Sequence, residues 1–168
     1  MTVELTGPEA QPLDILRTMI AGSATFQTWL GLDPERPAAE RLAEAKLRVY
    51  VVSATLPARP FALIGFGSRW GARRLAVGTT DGFAYAGSAF LQLAKDIQED
   101  EEGDQDAAFL AFVRDAGEIV DEILAQSGGD GMLRFEEISR SKSPGMGSLG
   151  SDQTKGEYAF VEYALQWG

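Results

Sequence analysis

The sequence predicts an α+β fold, with a mostly antiparallel β-sheet, N-terminal helices and one long amphipathic helix packed on one face. Three observations predict it. Apolar residues recur at helical spacing near the N-terminus and again over "AAFLAFVRDAGEIVDEILAQSGG"; "PFALIGFG" and "EYAFVEYALQW" are rich in β-branched and aromatic residues; and the last of these alternates with period two. At 168 residues the chain suits one domain with one core, spanning 1–168, of which 1–46 is a helical N-terminal part.

Each element has a local reason. Leu13, Leu16 and Ile20 mark one helix over Leu13 to Ala21, and Ser23 is the N-cap of a second that carries Phe26, Trp29 and Leu30. Pro37 suits the first turn of a short, solvated helix running to Ala45. From Leu47 the period changes to two, and "LRVYVVSA", "PFALIGFG", "RRLAVG" and "SAFLQLAKDI" read as strands, with Asp81-Gly82 as a turn. In the long helix Phe109, Phe112, Val113, Ala116, Ile119, Val120, Ile123 and Leu124 share one face, Asp104 or Asp106 caps the start, and Gly128-Gly129 ends it. In the closing strand Ala159, Val161, Tyr163, Leu165 and Trp167 face the helices, and Tyr158, Phe160, Glu162, Ala164 and Gln166 look outward. Between the last two strands 139–156 reads as an extended loop or arm.

Composition narrows the chemistry. The chain has no cysteine and no histidine, which removes thiolate zinc sites, Ser-His-Asp and Cys-His nucleophiles and the usual general base near neutral pH. Carboxylate chemistry, lysine chemistry or a hard cation on oxygen ligands is what remains for an enzyme. The net charge is −10, and the segment from Lys95 to Glu122 holds eleven acids against two bases. That segment repels phosphate backbones rather than binding them. No stretch approaches the roughly 18 apolar residues of a membrane span, so no membrane partner is expected.

Four patterns invite sharper readings. Gly145, Gly147 and Gly150 spell G-x-G-x-x-G, the pattern of a pyrophosphate-cradling turn, but only 18 residues follow and they close as a strand, leaving no room for the required helix and returning strand. "DIQEDEEGDQD" fails as a calcium loop, because aligning Gly103 with the invariant glycine puts Gln98 and Phe109 at the outer ligand positions. Glu136 and Glu137 are neighbours on a strand and point to opposite faces. "SRWGARR", a short loop on this reading, joins arginines to a tryptophan, a combination enriched in protein interfaces, so Arg69, Trp70, Arg73 and Arg74 form a candidate interface anchor.

The order of elements, with "PFALIGFG" as first core strand, "AAFLAFVRDAGEIVDEILAQSGG" as packing helix, "MLRFEEISRSKSPG" leading into the arm and "GEYAFVEYALQWG" closing the sheet, resembles the tail-terminator and tail-completion proteins of tailed phages. The likeness covers roughly 47–168 and lies in layout; the glycine-rich segment from Trp70 to Ala86 and the acidic loop look like insertions. The resemblance implies a virion structural protein, assembled in the host cytoplasm, that forms a homo-oligomeric ring at the end of the tail tube or at the neck. It would contact tail tube and connector proteins, pass DNA through its lumen without specific binding, and need no catalytic residue, cofactor or metal. On that reading Arg140, Lys142, Pro144, Met146, Leu149 and Lys155 form the subunit-interface arm, and Glu99, Asp100, Glu101, Glu102, Asp104 and Asp106 line the lumen or face a partner. A monomeric acidic adaptor or inhibitor of a basic partner and a magnesium-dependent carboxylate enzyme are the alternatives.

Overall fold

The computed structural model describes residues 10–51, 57–74, 83–97, 105–126, 134–148 and 157–168. Three helices come first: α1 (Gln11–Ala21), α2 (Ala24–Trp29) and α3 (Ala38–Lys46). They are followed by β1 (Val49–Tyr50), β2 (Phe61–Arg74), β3 (Phe83–Asp96), α4 (Gln105–Gln126), β4 (Phe135–Ser148) and β5 (Glu157–Trp167). The strands form one sheet in the order β1-β2-β3-β5-β4. Every pairing is antiparallel except the two-residue match of β1 with β2. The α+β class with a mostly antiparallel sheet and helices on one face is therefore correct.

The helical layer is built as its residues dictate. Pro12 sits in the first turn of α1, where its missing N–H costs nothing. Ser23 caps α2, its hydroxyl accepting a hydrogen bond from the Phe26 amide at 3.1 Å. The same hydroxyl donates to a Glu122 carboxylate oxygen of α4, and Thr25 Oγ1 donates to the other at 2.8 Å, so the cap also ties two helices together. Buried Gln27 donates to the Ala21 carbonyl at 2.8 Å and accepts from Arg41 Nη1 at 2.7 Å, joining α1, α2 and α3. Trp29 stacks on Phe112, with ring centroids 5.4 Å apart, and its indole N–H donates to Asp115 at 3.0 Å. Pro37 stands at the cap of α3 rather than inside it.

The core lies between these helices and one face of the sheet. From the sheet it takes Ala62 and Ile64 of β2, Ala89, Leu91 and Leu93 of β3, and Ala159, Val161, Tyr163, Leu165 and Trp167 of β5. The helices supply Leu13, Leu16, Ile20, Phe26, Phe112, Ala116, Ile119 and Ile123. Alternation in β5 thus selects the buried face as its sequence requires. Leu124 departs from expectation: it is 41% exposed, because the buried stripe of α4 runs through Phe112, Ala116, Ile119 and Ile123 and leaves it at the margin. The expected strand "LRVYVVSA" is paired only at Val49 and Tyr50 among the described residues. The caps expected at Asp104 and Gly128-Gly129, and the Asp81-Gly82 turn, lie outside those residues.

Replacing Ser23 with Ala removes the α2 cap and leaves a Glu122 oxygen without a hydroxyl partner. We expect a loss of about 1–2 kcal/mol in urea unfolding. An unchanged midpoint would show that the cap carries no stability.

Candidate assembly surface

Two expected surface features take different forms in the structure. The described part of the 139–156 arm is strand: β4 continues to Ser148 and pairs along β5 from Phe135↔Trp167 to Ser148↔Glu157. Arg140, Lys142, Pro144 and Met146 are consequently edge-strand residues, not tips of a projecting loop, and Leu149 and Lys155 lie outside the described residues. The physical reason is in the two glycines that resembled a nucleotide motif. Phe160 lies over Gly145 and Tyr158 over Gly147, and a Cβ at Gly147 would collide with the Tyr158 ring. Glycine gives the cross-strand rings room, so the glycine-rich run pairs as sheet.

As an interface the β4 edge is poor. Its outer side has no partner strand among the described residues. Register shifts interrupt it at Phe135/Glu137, Arg140/Lys142 and Lys142/Gly145, Pro144 removes a donor, and Glu136, Glu137, Arg140 and Lys142 add charge. Bulges, proline and charge are the devices that keep an edge from adding a strand. Its basic residues are also engaged within the chain, Lys142 with Glu162 at 3.5 Å and Arg140 with the Tyr163 hydroxyl.

The second feature, "SRWGARR", belongs to β2 and not to a loop. Paired with β3, it forms a ribbon that outruns the sheet. Strands β2 and β3 pair from Phe61↔Ala94 to Arg74↔Phe83, whereas β5 covers β3 only from Gly87 to Asp96 and β1 covers β2 only at Ala62 and Leu63. Trp70–Arg74 and 83–86 therefore have no other strand beside them among the described residues. A two-stranded ribbon standing alone is marginal in water.

Its side chains show which way it faces. Trp70 is opposite Gly87, which is opposite Trp167, so Trp70 lies on the core side of the sheet. The Trp167 indole occupies the space a side chain at Gly87 would need. Helix α1 begins nearby, where Pro12 and Leu13 line a small crevice with Phe66, Trp70 and Trp167. The core-side residues here are only partly covered: Phe66 is 52% exposed, Trp70 48% and Tyr85 36%, with the Trp70 and Tyr85 rings 6.0 Å apart. The irregularity between Phe66 and Trp70 is pinned by Ser88, whose hydroxyl accepts from the Arg69 amide at 3.0 Å, while Arg69 Nη1 donates to Gln166 at 2.8 Å. The result is a half-exposed aromatic surface on the core side, with the Arg69 guanidinium on the other face of the sheet beside Gln166.

The remaining sites offer less. A cleft of about 460 Å³ is lined by Trp29, Phe112, Arg59, Lys95 and Asp96. Arg59 is ion-paired with Asp96 and lies over Tyr158, and the Lys95 ammonium is 5.5 Å from the Trp29 ring. Among the described residues no cluster of three or more acids could hold a metal ion. Of the acidic segment, Asp106 lies in the first turn of α4 and is exposed, while Glu99, Asp100, Glu101, Glu102 and Asp104 lie outside the described residues. No described helix is long and apolar enough to cross a membrane.

Sequence reasoning singled out Arg69 and Trp70 but missed Phe66 and Tyr85. Both resemble core residues of a strand: Phe66 shares a row with Ala89 and Leu165 and is still 52% exposed, and Tyr85 lies past the described pairing of β3 with β5. Compared with known proteins, the chain matches no family model, and no curated sequence is significantly similar to it.

Burial raises the pKa of the Tyr163 hydroxyl above its ordinary 10.0, opposed by the hydrogen bond and charge of Arg140 and reinforced by Asp121. The unfolded phenol ionises first, so this contribution to stability is complete below the unfolded pKa and is lost as pH rises through the folded one. Tyr163→Phe should flatten the fall in stability between about pH 9 and pH 11 in urea titrations. The same fall in the variant would assign it to other groups.

Proposed function

We propose that this protein is a structural subunit that assembles with copies of itself into a ring, in the manner of the proteins that close the tail tube of a tailed phage or join it to the head. The observation that carries the reading is the β2–β3 ribbon, where Phe66, Trp70 and Tyr85 are 52%, 48% and 36% exposed and no third strand flanks 70–74 and 83–86 among the described residues. An isolated ribbon gains stability when a neighbour covers it. The order of elements supports the phage assignment: N-terminal helices, a strand pair, one long helix and a closing pair. In such a ring the acidic segment around residues 99–106 would turn DNA away from the wall by like-charge repulsion. The work is done by shape and charge, without turnover.

Static light scattering over a concentration series, with negative-stain imaging of the largest species, tests this. The wild-type chain should form closed rings of about six or twelve copies, the closed symmetry that head-to-tail contacts permit. The Trp70→Ala, Tyr85→Ala double variant should remain monomeric with a monomer stability within about 0.5 kcal/mol of wild type, as expected for exposed positions. A wild-type chain that is monomeric at every concentration would contradict the proposal.

A further inference from the structure

We infer that residues 1–9, "MTVELTGPE", dock on the aromatic face of the chain's own β2–β3 ribbon and cover Phe66, Trp70 and Tyr85. These nine residues lie outside the described part of the chain, and the place where they join it points to the surface. Ala10 stands at the cap of α1, its carbonyl accepting from the Leu13 amide at 3.0 Å. Pro12 and Leu13 then line the crevice with Phe66, Trp70 and Trp167. The segment is thus tethered within one helical turn of two rings that are 52% and 48% exposed.

Its sequence suits that surface. Met1, Val3 and Leu5 alternate with Thr2, Glu4 and Thr6, the period of an extended chain with one apolar side. Gly7-Pro8 follows, a dipeptide that marks a turn, so the chain has a point of reversal just before α1 begins. The reach suffices: from Ala10 back to Leu5 the chain extends up to about 17 Å, and Phe66 to Trp70 is about 13 Å of strand. A tether this short gives an effective concentration on the order of millimolar, whereas a second copy must bind from dilute solution. The segment of the same chain is therefore the favoured occupant in the monomer.

The cover goes beyond the ring reading and gives it a threshold. A neighbour takes the aromatic face only by displacing residues 1–9, so the apparent affinity between copies falls by the fraction of chains left uncovered. Only that threshold rests on the self-assembly reading; the cover is a property of one chain.

Disulfide trapping tests the cover, and the chain has no cysteine of its own to compete. The full chain carrying Leu5→Cys and Phe66→Cys keeps the Trp70–Tyr85 pair in place. Oxidised when dilute, it should close a disulfide within one chain, read as loss of both thiols to maleimide at monomer mass. Leu5→Cys with Arg69→Cys is the control, because the Arg69 side chain lies on the other face of the sheet beside Gln166. The control should close at least about tenfold more slowly, since the tether alone favours both positions. Equal rates, no disulfide in the first variant, or disulfides only between chains would each overturn the cover, the last by giving the segment to a neighbour. In a wild-type chain that assembles, Val3→Asp with Leu5→Asp should lower the concentration at which light scattering rises, and a raised threshold would also overturn it. A wild-type chain that never assembles removes the ring reading and leaves the disulfide result to decide the cover.

Discussion

Burial of one face of β5 is the constraint on which the rest of the structure depends. The strand lies between β3 and β4, and Ala159, Val161, Tyr163, Leu165 and Trp167 all point into the core. Burying a large apolar side chain contributes roughly 1.5–3 kcal/mol, so slipping β5 by one residue would forfeit several such terms and bury Glu162 and Gln166 instead. Register is therefore fixed for both neighbours at once. The rings on the other face follow, with Phe160 and Tyr158 over the glycines of β4.

Where β5 ends, the core ends. Trp167 fills the space beneath Gly87, and past that point the β2–β3 pair continues with no third strand beside it among the described residues. The aromatic residues there are continuous with the core face in register yet open to water. The same geometry thus explains both what holds the fold together and what it leaves unsatisfied. On the opposite side of the sheet β4 ends the structure differently, with bulges, proline and paired charges, as an edge protected against accidental pairing.

Much of the fold was legible in the sequence because local and global signals agree: Ser23 as a cap, the helical period of α4 and the alternation of β5 each point to one answer. The start of β4 in "MLRFEEIS" was legible, but its continuation to Ser148 was not, because glycine and proline lower strand propensity and only the partner rings of Phe160 and Tyr158 explain Gly145 and Gly147. The ribbon was half legible. An arginine-tryptophan cluster has the composition of an interface anchor, but the exposure of Phe66 and Tyr85 is set by what packs beside them in the fold. Leu124 illustrates the same limit in a helix, where a position at the margin of the apolar stripe is assigned by what packs beside it.

The central claim is that the β2–β3 ribbon, which no third strand flanks among the described residues, gains support from a neighbouring copy. Amide hydrogen exchange followed by mass spectrometry at low and high protein concentration tests this most directly. The account predicts that amides of 70–74 and 83–86 exchange rapidly in the dilute protein and slow by at least about tenfold on assembly, while those of β5 are protected throughout. Equal protection of the ribbon at both concentrations, in a sample that has assembled, would contradict it.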